Sequence, residues 1–445
     1  MSTGPAKSLD EAYDLLDPRP LLFTKGDGKR SAASDARFYT ELPQPDGTQL
    51  SALSPMARLK MQLMRGGGHT KVFLSGHVGS GKSTQINRLA ADPDIVRAFE
   101  VVTLRFESQE WDVLDGEQVQ FRIAAVLYEW GNEQGLLDKQ LVNAEKKKRW
   151  KTLFEQLESA IYGATGITVK EAKVGGEIDL VVGKLKQELT LSEGRRKQLR
   201  ELGETQESLL RDLVAALVHD IEGKLSERGQ GRSLLLLVDD LDKVARAESQ
   251  KDIFERSLNT LLQLPLRVLY TVPSGFYFGS TLSMLRQPLA YLYPIRILHK
   301  APQSFDPEQA FQPDQFGFFK DVLHSRVEAG LFEEDAIRIA AIYSGGVLRD
   351  FFHLLREAIL VAEYNKIAVV DKRTMKATIA DARLRESPGL YAPDFDALAH
   401  VHRTNELRQS EDRRYLDEGR VVECYNGKVW FEVNPLLWAM LEGRP

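Results

Sequence analysis

The sequence predicts an α/β fold: a parallel β-sheet flanked by helices, then a helical lid, then a small C-terminal module of helix and hairpin. Three observations carry this. An apolar run at 71–74 (KVFL) enters a glycine-rich loop and leaves it through a helix-like run (QINRLA) at 85–90. A second run, SLLLLV at 233–238, ends on two adjacent acids, Asp239 and Asp240. Near the end, VVECYN and VWFEVN flank a Gly-Lys step, the pattern of an antiparallel hairpin with an Asn-Gly turn.

The chain has 445 residues, room for two or three domains of roughly 100–200 residues each. With 43% apolar and 28% charged residues it can bury a sizeable core. No stretch approaches the roughly 18–20 uninterrupted apolar residues that cross a bilayer. The start, MSTGPAKSLDEAYDLL, carries acids where a signal peptide needs a basic flank and an apolar core. A soluble, cytoplasmic chain without a membrane partner is expected. Cys424 is the single cysteine, which excludes an intramolecular disulfide and a zinc site built on several cysteines. It reads as a small strand residue. The net charge of −5 and pI of about 6.0 weigh against a dedicated nucleic-acid binder, which carries a basic domain.

The loop holds the chemistry. Gly76, His77, Val78, Gly79, Ser80, Gly81, Lys82 and Ser83, followed by Thr84, fit G-x-x-x-x-G-K-[ST]. Glycines let the backbone take positive φ and approach a phosphate closely. Successive N–H groups then form an anion nest, and the next helix aims its positive end at the same phosphate. Lys82 can reach the β- and γ-phosphates, and the Ser83 hydroxyl can ligate Mg²⁺. The run before Asp239 suits a strand buried on both faces of a parallel sheet, with its acids emerging at the edge where open α/β sheets bind ligands. Asp239 is expected to hold the metal through water, and Asp240 to polarise the attacking water. Asp242 reads as a helix cap or surface residue, or one that reaches a neighbouring subunit. The expected ligand is a nucleoside triphosphate with Mg²⁺. ATP is favoured, because no Asn/Thr-Lys-x-Asp run marks a guanine reader.

Two further stretches follow. PLRVLYTVPS (265–274) reads as a buried strand ending in Thr271, whose hydroxyl can hold a water or sense the γ-phosphate. YSGGVLRD (343–350) opens a long helix with Arg349 in its first turn. An arginine there opposes the helix dipole, which points to a functional reason. In this order the motifs resemble the AAA+/STAND branch of P-loop NTPases, including initiator and origin-recognition ATPases and bacterial signal-transduction ATPases. The likeness spans about 70–350. It implies Walker A roles for Lys82 and Ser83, Walker B roles for Asp239 and Asp240, a sensor 1 role for Thr271 and a sensor 2 role for Arg349. It also implies an ATP-dependent homo-oligomer with an arginine finger from the neighbour, for which Arg286 and Arg296 lie in the right region. The family usually has Glu where this chain has Asp240, and Asn or Arg where it has Thr271.

The resulting organisation is an N-terminal arm (1–68), a P-loop core (69–300) with an inserted charged hairpin and helix at about 140–205, a helical lid (301–385) and a winged-helix-like module (386–445). In similar ATPases the arm packs on the adenine. FEVVTLRFES (99–108) reads as a strand and 115–134 as an amphipathic helix. EKKKRWK (145–151) reads as a solvated helix face or a partner or nucleic-acid contact. A helix is expected to lead from LRQSEDRRYLDEGR into the hairpin. Residues 386–445 hold seven Lys/Arg against eleven Asp/Glu, a poor phosphate binder. The expected function is an ATP-driven switch that assembles or engages a separately encoded protein partner, in bacterial defence or stress signalling. The alternative is a DNA-remodelling loader that uses the C-terminal module on duplex DNA.

Overall fold

The computed structural model describes residues 4–18, 36–43, 53–108, 110–111, 114–137, 149, 151–153, 156, 204–229, 231–244, 246–278, 287–300, 304–408 and 410–443. Five parallel strands form one sheet: β1 (Lys71–Gly76), β2 (Phe99–Leu104), β3 (Ser233–Val238), β4 (Arg267–Thr271) and β5 (Leu289–Leu292). Their spatial order is β2-β3-β4-β1-β5. Phe73 of β1 pairs with Tyr270 on one side and Leu289 on the other. Val238 of β3 lies between Leu104 and Tyr270. Because every pairing is parallel, all carboxyl ends share one edge, and Gly76, Asp239 and Thr271 meet there.

The middles of β1, β3 and β4 are apolar and buried because both faces are covered, while edge strand β2 carries Glu100 and an exposed Thr103. Successive side chains alternate between the two faces. Val72, Leu74, Leu235, Leu237 and Leu269 pack against α2 (Pro55–Arg65), α3 (Lys82–Ala90) and α4 (Pro93–Ala98). Phe73, Leu236, Val268 and Tyr270 face α5 (Gly116–Glu133) and α6 (Glu204–Glu227). The start of α5 is fixed by a capping box: Gln118 N–H donates to Asp115 Oδ1 at 2.9 Å and Asp115 N–H to Gln118 Oε1 at 3.3 Å.

A second body holds the lid and the C-terminal region. Its helices are α7 (Phe316–His324), α8 (Glu334–Tyr343), α9 (Leu348–Tyr364), α10 (Lys372–Glu386) and α11 (Ala392–Thr404). The strands β6 (Val421–Tyr425) and β7 (Val429–Val433) form an antiparallel hairpin. Leu398, Val433 and Trp438 pack in one apolar cluster with Phe319, Phe351 and Ile359. The region after residue 386 therefore shares the lid's core. The same cluster takes in Leu9 and Leu16, which flank and begin α1 (Leu9–Leu15). Part of the N-terminal arm is thus a docked helix, held by Arg356, which donates to the Tyr13 carbonyl at 3.0 Å and stacks on its ring.

The segment before the hairpin differs from the expected helix. It is a 3₁₀ turn (Ser410–Arg413) and one helical turn (Arg414–Asp417), ended by Gly419 at φ +72°. The Asp412 carboxylate caps the Arg408 N–H at 3.1 Å, a local bond that competes with helix formation. The inserted hairpin and most of the charged helix lie outside the described residues, as does most of 145–151. Among the described residues, no helix is long and apolar enough to cross a membrane.

Candidate nucleotide site

The loop after β1 is shaped by glycine. Gly79 sits at φ +90°, in the left-handed region. A Cβ there would lie 2.7 Å from the Arg349 Cβ, so the loop and the first turn of α9 meet with no room for a side chain between them. Arg349 also donates its N–H to the Gly79 carbonyl at 3.3 Å. The lid helix thus begins against the phosphate-type loop. Gly81 precedes α3 without a side-chain cap, which leaves first-turn N–H groups free of side-chain acceptors at the anion-binding end of the helix.

Lys82 is buried, and its ammonium donates to the carbonyls of Gly76 (2.6 Å) and His77 (3.0 Å). It also pairs with Asp242 at 2.9 Å. Asp242 is therefore a buried partner of the loop lysine, and the expected cap or surface role is corrected. The cause lies in the turn after β3. Asp240 takes φ +70° and is followed by a 3₁₀ turn over Leu241–Lys243, which swings Asp242 toward the loop. The Asp240 carboxylate pairs with Lys243, whose ammonium lies 4.9 Å from the Trp111 ring centre.

Asp239 is almost fully buried. Its Oδ1 accepts the Asp240 N–H at 2.9 Å, while Oδ2 has no hydrogen-bond partner and lies 3.7 Å from Arg105 Nε. Burial, then the charges of Asp240 and Asp242, push its pKa up to about 6, against a hydrogen bond from Ser83. A carboxylate oxygen with no hydrogen bond of its own, beside a serine hydroxyl, is a hard-oxygen pair of the kind Mg²⁺ takes. The residues present fit that ion. Thr271 is fully buried, and its Oγ1 accepts the Leu241 N–H at 3.1 Å. Its hydroxyl braces the turn after β3.

A cavity of about 140 Å³ runs from the loop between the 36–43 segment and the lid. Arg349, Tyr39, Phe318 and Arg326 line it together with Gly79 to Thr84. Buried Arg326 sits over the rings of Phe38 (5.1 Å) and Phe352 (4.9 Å), and burial pulls its pKa down to about 10. Tyr39 accepts from Arg88 at 2.6 Å and Gln85 at 3.0 Å, tying the segment to α3. No motif marks Phe38, Tyr39, Arg105 or Arg326 in the sequence. Arg296 is held by Asp314 at 3.0 Å, and Arg286 lies outside the described residues. His77 is buried with Nδ1 2.8 Å from Glu423 Oε2 on β6.

The sheet order, the glycine loop between β1 and α3 and the acids after β3 define a P-loop NTPase fold with a helical lid. Its structural neighbours include Cdc6p from Pyrobaculum aerophilum, at 12% identity over 91% of this chain and 96% of that one, with a TM-score of 0.38. They also include the ORC2 protein of Aeropyrum pernix (10% identity, 91% and 95% covered, TM-score 0.40). A third is a Walker-type ATPase of Pyrococcus abyssi (12% identity, 91% and 99% covered, TM-score 0.35). Identities this low carry no residue roles across. No family model and no curated protein matches the chain.

Proposed function

We propose that this chain is an ATP-binding and ATP-hydrolysing switch of AAA+ type. The observation that carries the reading is the junction of Gly79 and Arg349, which sets the first turn of the lid directly on the loop where phosphates bind. Triphosphate occupies the nest of Gly76 to Thr84, and the base extends toward Phe38, Tyr39 and Arg326. Lys82 leaves Asp242 for the phosphates. Arg349 turns onto the γ-phosphate and draws the lid with it. Ser83 and Asp239 would hold Mg²⁺, which supplies charge neutralisation between the phosphates. Asp240, freed from Lys243, orients the attacking water, and Thr271 keeps the turn that carries Asp240 in place. Hydrolysis of this kind rests on positioning and charge stabilisation. It moves a conformational equilibrium only if ATP binds the closed state more tightly than the open one.

In the closed state the chain assembles with copies of itself or engages a protein partner, a role that suits bacterial defence or stress signalling. DNA is the disfavoured partner because the C-terminal region carries excess acid. The test is titration with a fluorescent ATP analogue alongside phosphate release. Lys82→Ala should abolish binding. Asp240→Asn should keep binding and lose hydrolysis, and equal loss of both in Asp240→Asn would remove its assigned role.

A further inference from the structure

The C-terminal hairpin reaches the phosphate loop through a buried carboxylate. Glu423 of β6 is fully buried, and its Oε2 lies 2.8 Å from Nδ1 of His77, the second residue of the loop. The His77 carbonyl receives the Lys82 ammonium and the Ser80 N–H at 3.1 Å. The other carboxylate oxygen of Glu423, Oε1, is buried without a hydrogen-bond partner, and the charge of Glu423 acts on the neighbouring Tyr291 hydroxyl. That hydroxyl bonds Ser274 Oγ at 3.0 Å, and Ser274 donates to the Gly76 carbonyl at 3.1 Å. One hairpin carboxylate thus bonds the residue whose carbonyl holds Lys82 and lies beside the Tyr291–Ser274 pair that meets the other carbonyl.

The opposite face of the hairpin provides a contrast. Pairing of Glu423 with Phe431 and of Val422 with Glu432 sets the two glutamates on opposite faces. Glu432 is also fully buried beside a histidine, with His402 Nδ1 at 2.7 Å. It accepts further bonds from Asn405 at 3.0 Å and the Val433 N–H at 2.9 Å, and His402 Nε2 lies 3.1 Å from the Ser304 carbonyl, so this network stays within the lid and the C-terminal region. The bond from Glu423 leaves that region for the loop. Two neighbouring contacts point the same way. Asp417 accepts the Gly275 N–H at 2.9 Å beyond the end of β4. A Cβ on Gly345, in the turn that leads to Arg349, would lie 3.3 Å from Val422.

We infer that Glu423 is a positioning residue for the nucleotide site, orienting His77 and its carbonyl at Lys82, and that the hairpin reports loop occupancy in return. The inference rests on the nucleotide-binding reading above. Linkage makes the coupling reciprocal: whatever the hairpin does to ATP affinity, ATP does to the hairpin.

The experiment uses the full chain and a fluorescent ATP analogue with Mg²⁺, comparing wild type, Glu423→Gln and Glu432→Gln, each with its thermal midpoint. Both substitutions loosen the hairpin. Only Glu423→Gln should weaken ATP affinity, by fivefold or more, with Glu432→Gln within twofold of wild type. In wild type, ATP should slow hydrogen exchange over 421–425, and Glu423→Gln should erase that effect. Equal affinities in the two variants, or unchanged protection in Glu423→Gln, overturn the inference. If Glu423→Gln fails to fold, His77→Asn asks the same question from the loop side, and retained protection by ATP then overturns it. A wild-type chain that binds no nucleotide sinks the ATP reading itself, a different result from binding that ignores Glu423.

Discussion

At the residue scale, the proposed function makes the loop lysine and its acid partner decide how readily the site accepts phosphate. Lys82 is held by Asp242 and two carbonyls, so an incoming triphosphate competes with a buried carboxylate. Asp242→Asn removes that competitor, and ATP affinity should rise about three- to tenfold, on the order of 1 kcal/mol, in the same fluorescence titration. Lys82→Ala has the opposite character. It removes a phosphate ligand and strands Asp242 as a buried unpaired acid, so its stability must be measured beside its binding. Gly79→Ala places a methyl in the left-handed region against Arg349. It should lower unfolding free energy by roughly 1–3 kcal/mol and weaken ATP binding at least tenfold. Denaturant titration showing no loss would mean that the loop and α9 can part freely.

At the element scale, the helices that frame the sheet depend on local chemistry visible in the sequence. The Asp115 cap opens α5, which packs against α6 across the face that holds Phe73 and Tyr270. Asp115→Ala should cost about 1 kcal/mol, read as a shifted denaturant midpoint with nucleotide affinity unchanged. The turn before α9 is less forgiving. Gly346 has φ +86°, and a Cβ there would lie 1.9 Å from the Ile295 carbonyl oxygen. The Ile295 N–H donates to the Gly346 carbonyl at 3.0 Å, so this turn fastens the lid to the segment after β5.

At the scale of the whole molecule, the C-terminal region is set onto the core by groups that titrate. Burial holds the Asp417 carboxyl up at about 6, against hydrogen bonds from Gly275 and Gln250 and with the charges of Glu423 and Asp242. A folded-state pKa above the unfolded value of about 3.9 means the folded chain binds more protons between about pH 4 and 6. Stability from this group is full below that window and is lost as pH rises through it. Asp417→Asn should flatten this slope, narrowing the stability difference between pH 5 and 7.5 by on the order of 1–2 kcal/mol, since the group is partly exposed. Light scattering tests the switch at the same scale: mass should rise with ATP and Mg²⁺ and stay low with ADP. Duplex DNA should not bind at low salt, and a steeply salt-dependent affinity would restore the loader reading.

The sheet and the loop were legible because each is encoded locally. A buried parallel strand needs an unbroken apolar run, as in 233–238, and a phosphate nest needs glycines at fixed spacing with lysine and serine after them. The helix at 115–134 was legible for a related reason, the helical spacing of its apolar residues. Asp242 was not, because its direction depends on the left-handed turn at Asp240, which no pattern of side chains announces. Arg326 and Phe38 come together from segments far apart in the chain, and Glu423 meets His77 across 346 residues. By itself the sequence determined the glycine loop and its place between a strand and a helix, since backbone geometry at a loop is a short-range property. Tertiary structure alone decided what holds those residues in the meantime, because burial and ion pairing depend on which distant side chains the fold brings within bonding reach.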